Sequence, residues 1–286
     1  MSAPGAHIVE TALPAVGTLW VGDSLDWISK LCLMTFVHHG HPVFLFHTHD
    51  MANPGIDGIE LAHAREVFDY PDAMLRQFGP AQFADIFRLH MIRNAGLIWI
   101  DADVLCQRPL SAPDDYLFGY EGSGWINNAV LCLPVQSPTL KRMINRFADP
   151  TFVPPWLSKR ILNRLRDGPE DERLMRACKM TATALGPPAL TYMLNKHGES
   201  DRALPEHVLN PVPWSLGDIY FNPCGGVEGW MNDDTLAVHL YASRLGRVHK
   251  RVAPAPGSFI AQAAQEVGFD FEEHGLPPTK AVPKLH

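Results

Sequence analysis

Four consecutive apolar residues, Leu97-Ile98-Trp99-Ile100, run straight into Asp101-Ala102-Asp103. A strand with no polar position cannot turn one side to water, so it belongs inside a sheet covered on both faces, as in parallel α/β sheets. The residues before it agree. Pro80 opens a helical stretch to Asn94, with Phe83, Phe87, Met91 and Ala95 on or near one face. Gly96 is placed to end that helix in left-handed backbone. Upstream, 18–21 reads as a strand ending at Gly22. Asp23 or Ser24 offers the cap of a helix to about Val37, and 43–46 reads as a second strand after the break at Gly40 and Pro42. Strand, helix, strand is a βαβ unit and implies a parallel sheet. Further strands are expected at 118–121, 129–133 and 236–241, and helices at 138–147 and 187–196, with a loop over 50–60. The organisation expected is one α/β domain over residues 1–252, with a helical insertion at about 150–180. A Pro-rich C-terminal extension follows over 253–286, its last dozen residues loosely ordered.

Composition narrows the function classes. With 286 residues, 46% of them hydrophobic, the chain can bury a sizeable core, and a net charge of -7 argues against nucleic acid as the main partner. The five cysteines form no C-x-x-C and are widely spaced, which suits core thiols in a reducing compartment rather than disulfides or a zinc ribbon. The start carries no basic segment followed by a long apolar run. The most apolar stretch, 31–46, is broken by His38, His39, Gly40, His41 and Pro42, so no membrane span is expected. The expected location is the cytoplasm, with peripheral attachment to the inner face of the membrane left open.

The acidic pair carries the chemistry. In a strand, residues two apart point the same way, so Asp101 and Asp103 are expected to project together from the strand end. Two close carboxylates repel each other unless a cation or hydrogen-bond donors compensate. Ligands of open α/β sheets bind beyond the carboxyl ends of the strands. Together these point to a hard divalent cation, Mn2+ or Mg2+, bound through oxygen. The plain alternative is a polar turn. Asp85 and Arg88 share a helical face. They form either a local ion pair or a site in which Arg88 meets a phosphate or sugar oxygen and Asp85 accepts from sugar hydroxyls.

The run Ala84-Asp85-Ile86-Phe87-Arg88, then Gly96, then Trp99-Ile100-Asp101-Ala102-Asp103 resembles the DXD sugar-binding region of a group of GT-A-fold glycosyltransferases. That group includes bacterial capsular-polysaccharide transferases, fungal mannosyltransferases and the glucosylating clostridial toxins. The family pattern is roughly S-D-x-x-R, an aliphatic residue, G-G-x-Y and D-x-D. Here Ala84 replaces the Ser, Leu97 the second Gly and Trp99 the Tyr, which marks a distant member. Outer blocks resemble the family too. Trp20 stands where the base is stacked, and Asn127-Asn128-Ala129, before a strand, where asparagines approach the donor sugar. Gly186-Pro187 with Ala189-Leu190-Thr191 looks like a helix start lining the site. Val238-His239-Leu240-Tyr241-Ala242-Ser243 is similar to the block in which a His completes the metal site and a Ser reaches the diphosphate. The resemblance spans about 18–245 and is weak over 150–180.

It implies a GT-A-like fold with a mixed, mostly parallel central sheet flanked by helices. It also implies a metal-dependent hexosyltransferase moving a sugar from a UDP- or GDP-sugar, UDP first, to a glycan or glycolipid acceptor with retention. Polysaccharide biosynthesis is the setting it suggests. The implied donor-binding residues are Trp20, Asp85, Arg88, Asp101, Asn127, Asn128 and Ser243. The implied metal ligands are Asp103 and His239, with Asp101 as a further candidate. Arg88, Asp101 and Asp103 would stabilise the donor and transition state, and no nucleophile is identified.

Two rivals remain. One is a non-catalytic nucleotide-sugar- or carbohydrate-binding module. The other is a D-x-D phosphohydrolase, disfavoured because Val104 and Leu105 follow the motif where such enzymes carry a Thr. The histidines at 38, 39, 41, 47 and 49 lack metal-site spacing and read as structural or solvent residues. The basic amphipathic stretch 156–166 reads as a surface or site-covering helix, with contact to an anionic membrane or lipid-linked acceptor as the alternative.

Overall fold

The computed structural model of the protein describes residues 12–274 and 276–277. Its first strand, β1 (Val16–Trp20), leads into helix α1 (Trp27–His38) and returns to β2 (Val43–His47), which pairs with β1 in parallel. This is the expected βαβ unit. The cap of α1 is Asp26, whose side chain accepts from the Ser29 N–H, rather than Asp23 or Ser24. Residues 50–58 are the expected loop, and a strand that composition hid follows it, β3 (Ile59–His63), which adds in parallel to β2 at the sheet edge.

Helix α2 (Ala73–Ala95) breaks at Gly79, whose backbone is extended with positive φ, and its main segment begins at Pro80 as expected. It ends at Gly96, where φ is 66° and the amide donates to Ile92 O, a conformation glycine adopts without steric cost. Strand β4 (Ile98–Ile100) follows and joins β1 in parallel. Trp99 packs into the core cluster of α2, with Phe83 and Phe87, while Ile98 and Ile100 pack with Leu33 and Phe36 of α1. The all-apolar strand is covered on both faces, as its composition demanded.

After a short turn come β5 (Val104–Cys106), β6 (Leu117–Tyr120) and β7 (Ile126–Cys132). The six-stranded sheet runs β3-β2-β1-β4-β7-β6, with three parallel pairings followed by two antiparallel ones. The protein is therefore a mixed α/β fold with a mostly parallel central sheet. Helices α3 (Pro138–Phe147) and α6 (Pro187–His197) share the core of α2 on one face, opposite α1.

Between them lies the stretch expected as a helical insertion, with α4 (Lys159–Arg166) and α5 (Arg173–Met180). Its apolar residues turn inward: Leu165 is buried, Trp156 and Leu157 pack on the core, and Trp156 Nε1 donates to Ala184 O. Lys159, Arg160, Arg164 and Arg166 are exposed, so α4 shows its basic rather than its apolar side to the outside. A short α7 (Glu206–Leu209) precedes β8 (Ala237–His239). Strand β8 pairs antiparallel with β5 in a separate two-stranded ribbon.

Within the Pro-rich extension, α8 (Phe259–Glu266), Phe269 and Leu276 pack with Trp27, Ile28 and Leu31 of α1. Most of the expected terminal tail lies outside the described residues. All five cysteines are free. Burial pushes the Cys106, Cys132 and Cys178 thiols up to about 12, as for inert core thiols. Among the described residues no helix is long and apolar enough to cross a membrane.

Candidate active site

Asp101-Ala102-Asp103 is a turn between β4 and β5, so the two carboxylates converge through the turn rather than through strand alternation. The β5–β8 ribbon then brings in the third group. Val104 pairs with His239, and the ladder continues past both strands as Leu240 N–H donates to Asp103 O. His239 Nε2 lies 3.5 Å from Asp103 Oδ1, and Ala242 N–H donates to Asp103 Oδ2 at 2.7 Å. Potential ligand atoms of Asp101, Asp103 and His239 all fall within 4.8 Å of one another. Among the described residues no other group of three or more His, Cys, Asp or Glu side chains comes together in this way. The clustered histidines near residue 40 do not. His41, for one, is spent on Pro14 O and the Leu110 N–H.

Helix α2 delivers Arg88 beneath the acidic turn. The guanidinium reaches Asp85 Oδ1 at 3.0 Å, Asp101 Oδ1 at 3.3 Å, Ala84 O at 3.3 Å and the Asn128 carbonyl, and it lies over the Trp99 ring at 4.7 Å. Every nitrogen of the fork is engaged inside the protein. Arg88 is only 5% exposed, so its place is that of a clamp between Asp85, Asp101 and β7 rather than a free cation awaiting a phosphate. Trp99 Nε1 gives Asp101 Oδ1 a further hydrogen bond at 2.7 Å.

These groups open onto a cleft of ≈ 420 Å³ at the carboxyl end of the parallel strands. Of the residues expected at a donor site, Trp20, Asp85, Arg88, Asp101, Asn128 and Ser243 line it, together with Asp103. Gly186 and Pro187, at the start of α6, line it as well. His239 sits behind Asp103, 7% exposed, stacked on Tyr241 at 3.8 Å. Asn127 is not brought to the cleft. Asn127 and Asn128 lie within β7 rather than before it, so they point to opposite faces. Asn128 Nδ2 bonds Asp85 Oδ1 at 2.9 Å, whereas Asn127 bonds Glu121 and the Ala129 N–H. Lining residues that the sequence reading missed are Asp26, Ser29, Thr183 and Lys250. Each stands alone in a turn or at a helix start, where no periodicity or motif marks it.

The electrostatics follow from burial and pairing. Burial pushes Asp85 up to about 6 despite Arg88 beside it, and pushes Asp101 upward as well. For Asp103, the upward push of burial is outweighed by the charge and hydrogen bonding of His239 and by the Ala242 N–H, so its carboxyl stays below the usual range. Burial would lower His239, but Asp103, Asp101 and Glu121 together hold it above its ordinary value. The donor set suits Mn2+ or Mg2+, two carboxylates with one imidazole. His239 Nδ1 is buried without a hydrogen-bond partner among the described residues, and Asp101 and Asp103 each bring a carboxylate oxygen within 4.8 Å of the imidazole, so the group fits a divalent cation.

No protein-family model and no curated protein matches the chain. Among solved structures it is similar to the PaToxG glycosyltransferase, at 12% identity and a TM-score of 0.40, over 66% of this chain and 71% of that one. It is also similar to an apo structure of the bifunctional glycosyltransferase WbbM, at 10% identity and a TM-score of 0.44, over 94% of this chain and 52% of that one. The chain thus spans about half the length of WbbM. Likenesses this distant assign no activity, and the chemistry rests on the site's own residues. Those residues form a cleft with an aromatic wall at Trp20, the carboxylates of Asp101 and Asp103 backed by His239, and hydrogen-bonding groups at Asp85, Asn128, Thr183 and Ser243.

Proposed function

We propose that the protein is a metal-dependent glycosyltransferase that uses a nucleotide-sugar donor, UDP-sugar first among the choices, and passes a hexose to a glycan or glycolipid acceptor with retention. One observation carries this reading: Asp101 and Asp103 line one cleft with Trp20, Asp85 and Ser243, and His239 stands behind them with a ligand atom within 4.8 Å of both carboxylates. Asp103 and His239 would hold Mn2+ or Mg2+, with Asp101 beside them. When bound, the ion supplies Lewis-acid stabilisation of the diphosphate leaving group.

The chain's own residues do the rest. Trp20 offers a face on which the base stacks. Asp85 binds Arg88 and Asn128 through Oδ1, which leaves Oδ2, under Gly186, to accept from a sugar hydroxyl. Arg88 and Trp99 fix Asp101. Ser243, at the rim, donates to the diphosphate. In the transfer the bond from the anomeric carbon to the phosphate oxygen breaks, and its electron pair stays on the nucleoside diphosphate. The acceptor oxygen bonds the anomeric carbon, and its proton passes to the departing phosphate oxygen. Any membrane contact at α4 would be electrostatic, through the exposed Lys159, Arg160, Arg164 and Arg166.

The test is a donor-hydrolysis screen: purified protein, Mn2+ and a panel of UDP- and GDP-sugars, read as released nucleotide. Metal-dependent release from one donor is expected. The Asp103→Ala variant is expected to lose at least about a hundredfold, the scale of removing a transition-state electrostatic group. Mn2+-dependent donor binding with no turnover, even with acceptors supplied, would leave a binding module instead. Absence of both would end the glycosyltransferase reading.

A further inference from the structure

The cleft is short of free positive charge. Its lining carries four carboxylates, Asp26, Asp85, Asp101 and Asp103, against two cations, Arg88 and Lys250. Arg88 is already committed to Asp85, Asp101 and two backbone carbonyls. A nucleoside diphosphate brings more negative charge than one divalent ion cancels, so a cleft that takes it needs another cation within reach.

Lys250 is placed for this. Its ammonium has no carboxylate or carbonyl partner among the described residues, and its side chain is exposed at the cleft. Its backbone, in contrast, is fixed. The Lys250 carbonyl accepts from Nε1 of the buried Trp27, at 3.2 Å. The preceding His249 stacks on Phe221 at 4.0 Å and pairs with Asp218 at 2.9 Å. Trp27 in turn packs edge-on against Phe221, so both anchors belong to one aromatic cluster. A lysine held by its backbone beside an acidic cleft, with nothing bound to its ammonium, presents a mobile point charge on a fixed base.

We propose that Lys250 is the diphosphate-binding cation of this site, taking the role that Arg88 is too enclosed to fill. This rests on the cleft being a nucleotide-sugar site. Lys250, whose carbonyl is tied to Trp27 of α1, reaches the phosphates from the cleft wall, and its charge offsets the part of the diphosphate that the metal does not cancel.

The test is calorimetric titration of the full chain with Mn2+ and UDP or GDP, and with UMP or GMP for comparison. Lys250→Ala is expected to weaken the diphosphate by about tenfold, the worth of one charge-assisted contact, and the monophosphate by much less. Lys250→Arg is expected to keep most of the affinity, and the gap between wild type and Lys250→Ala should narrow with added KCl. Equal diphosphate affinity in wild type and Lys250→Ala would overturn the inference and leave the glycosyltransferase reading intact. An equal loss for diphosphate and monophosphate would overturn it too, by showing a general rather than a diphosphate-directed effect. If the wild type bound neither nucleotide with Mn2+, the nucleotide-sugar reading itself would fall, and Lys250 with it.

Discussion

At the scale of single residues, Arg88 is the group on which the site's geometry depends. It is buried and bridges two carboxylates that would otherwise face each other in a poorly solvated place. Replacing one partner of such a network leaves uncompensated charge, at a cost of about 3–5 kcal/mol. Arg88→Met is therefore expected to lower urea stability by that amount, and Asp85→Asn in the same chain to recover part of it. Arg88→Lys should fall between, because an ammonium cannot fork to Asp85 and Asp101 together. If Arg88→Met denatured at the wild-type midpoint, the clamp would be an ornament. The same residue shows what a sequence conveys. The i, i+3 spacing of Asp85 and Arg88 was enough to pair them, but not to tell a clamp from a phosphate ligand. That distinction depends on the Asn128 carbonyl and Asp101, which lie elsewhere in the chain. The Asn127-Asn128 pair held a readable signal, since two successive strand residues cannot both face one cleft. Lys250 held none, because its setting is made by Trp27 and Phe221.

At the scale of elements, α2 joins the site to the core and carries a titrating group on its flank. His90 stacks on Phe68 at 3.7 Å beside Arg93, and burial with the neighbouring guanidinium lowers it from 6.5 to about 4. A histidine whose native value is depressed binds its proton more readily when unfolded. Its contribution to stability is thus complete above pH 6.5 and is lost as pH falls toward 4. After allowance for its partial exposure, the loss is on the order of 1 kcal/mol. His90→Phe keeps the stack and is expected to flatten that part of the stability–pH curve, measured by chemical denaturation. An unchanged slope would exclude His90 as its source. Elements were legible where one force dominated: β4 by its unbroken apolar run, α2 by Pro80 and Gly96, and α3 by its amphipathic period. Those missed were set by tertiary pairing. Strand β3 exists because it completes β2 in register, Val43 with Ile59, although its own sequence exposes Glu60 and Leu61. Helix α8 was masked by the surrounding prolines and is held by its packing on α1.

At the scale of the whole molecule, the acidic turn and β8 come from distant parts of the chain, and a shared ion would tie them. Mn2+ is therefore expected to raise the melting temperature of the wild type, by about 2.7 kcal/mol of stabilisation at a hundredfold excess over its dissociation constant. His239→Ala should lose most of that increment while keeping the fold. A wild type that melts at the same temperature with Mn2+ and with EDTA would count against a cation at this place.

The β5–β8 ribbon has a consequence for how the protein comes into being. Asp103 and Ala242, which it joins, are 139 positions apart. Closing a loop of that length costs about 4 kcal/mol of chain entropy, so the junction forms once most of the remaining framework is in place. A ribosome would expose the acidic turn, and even the six strands of the sheet, well before it had synthesised the histidine that completes the cluster. The growing chain would then hold every strand of the sheet before the cluster can be completed. Closure of the cluster during synthesis would then mark the arrival of β8 rather than the folding of the sheet.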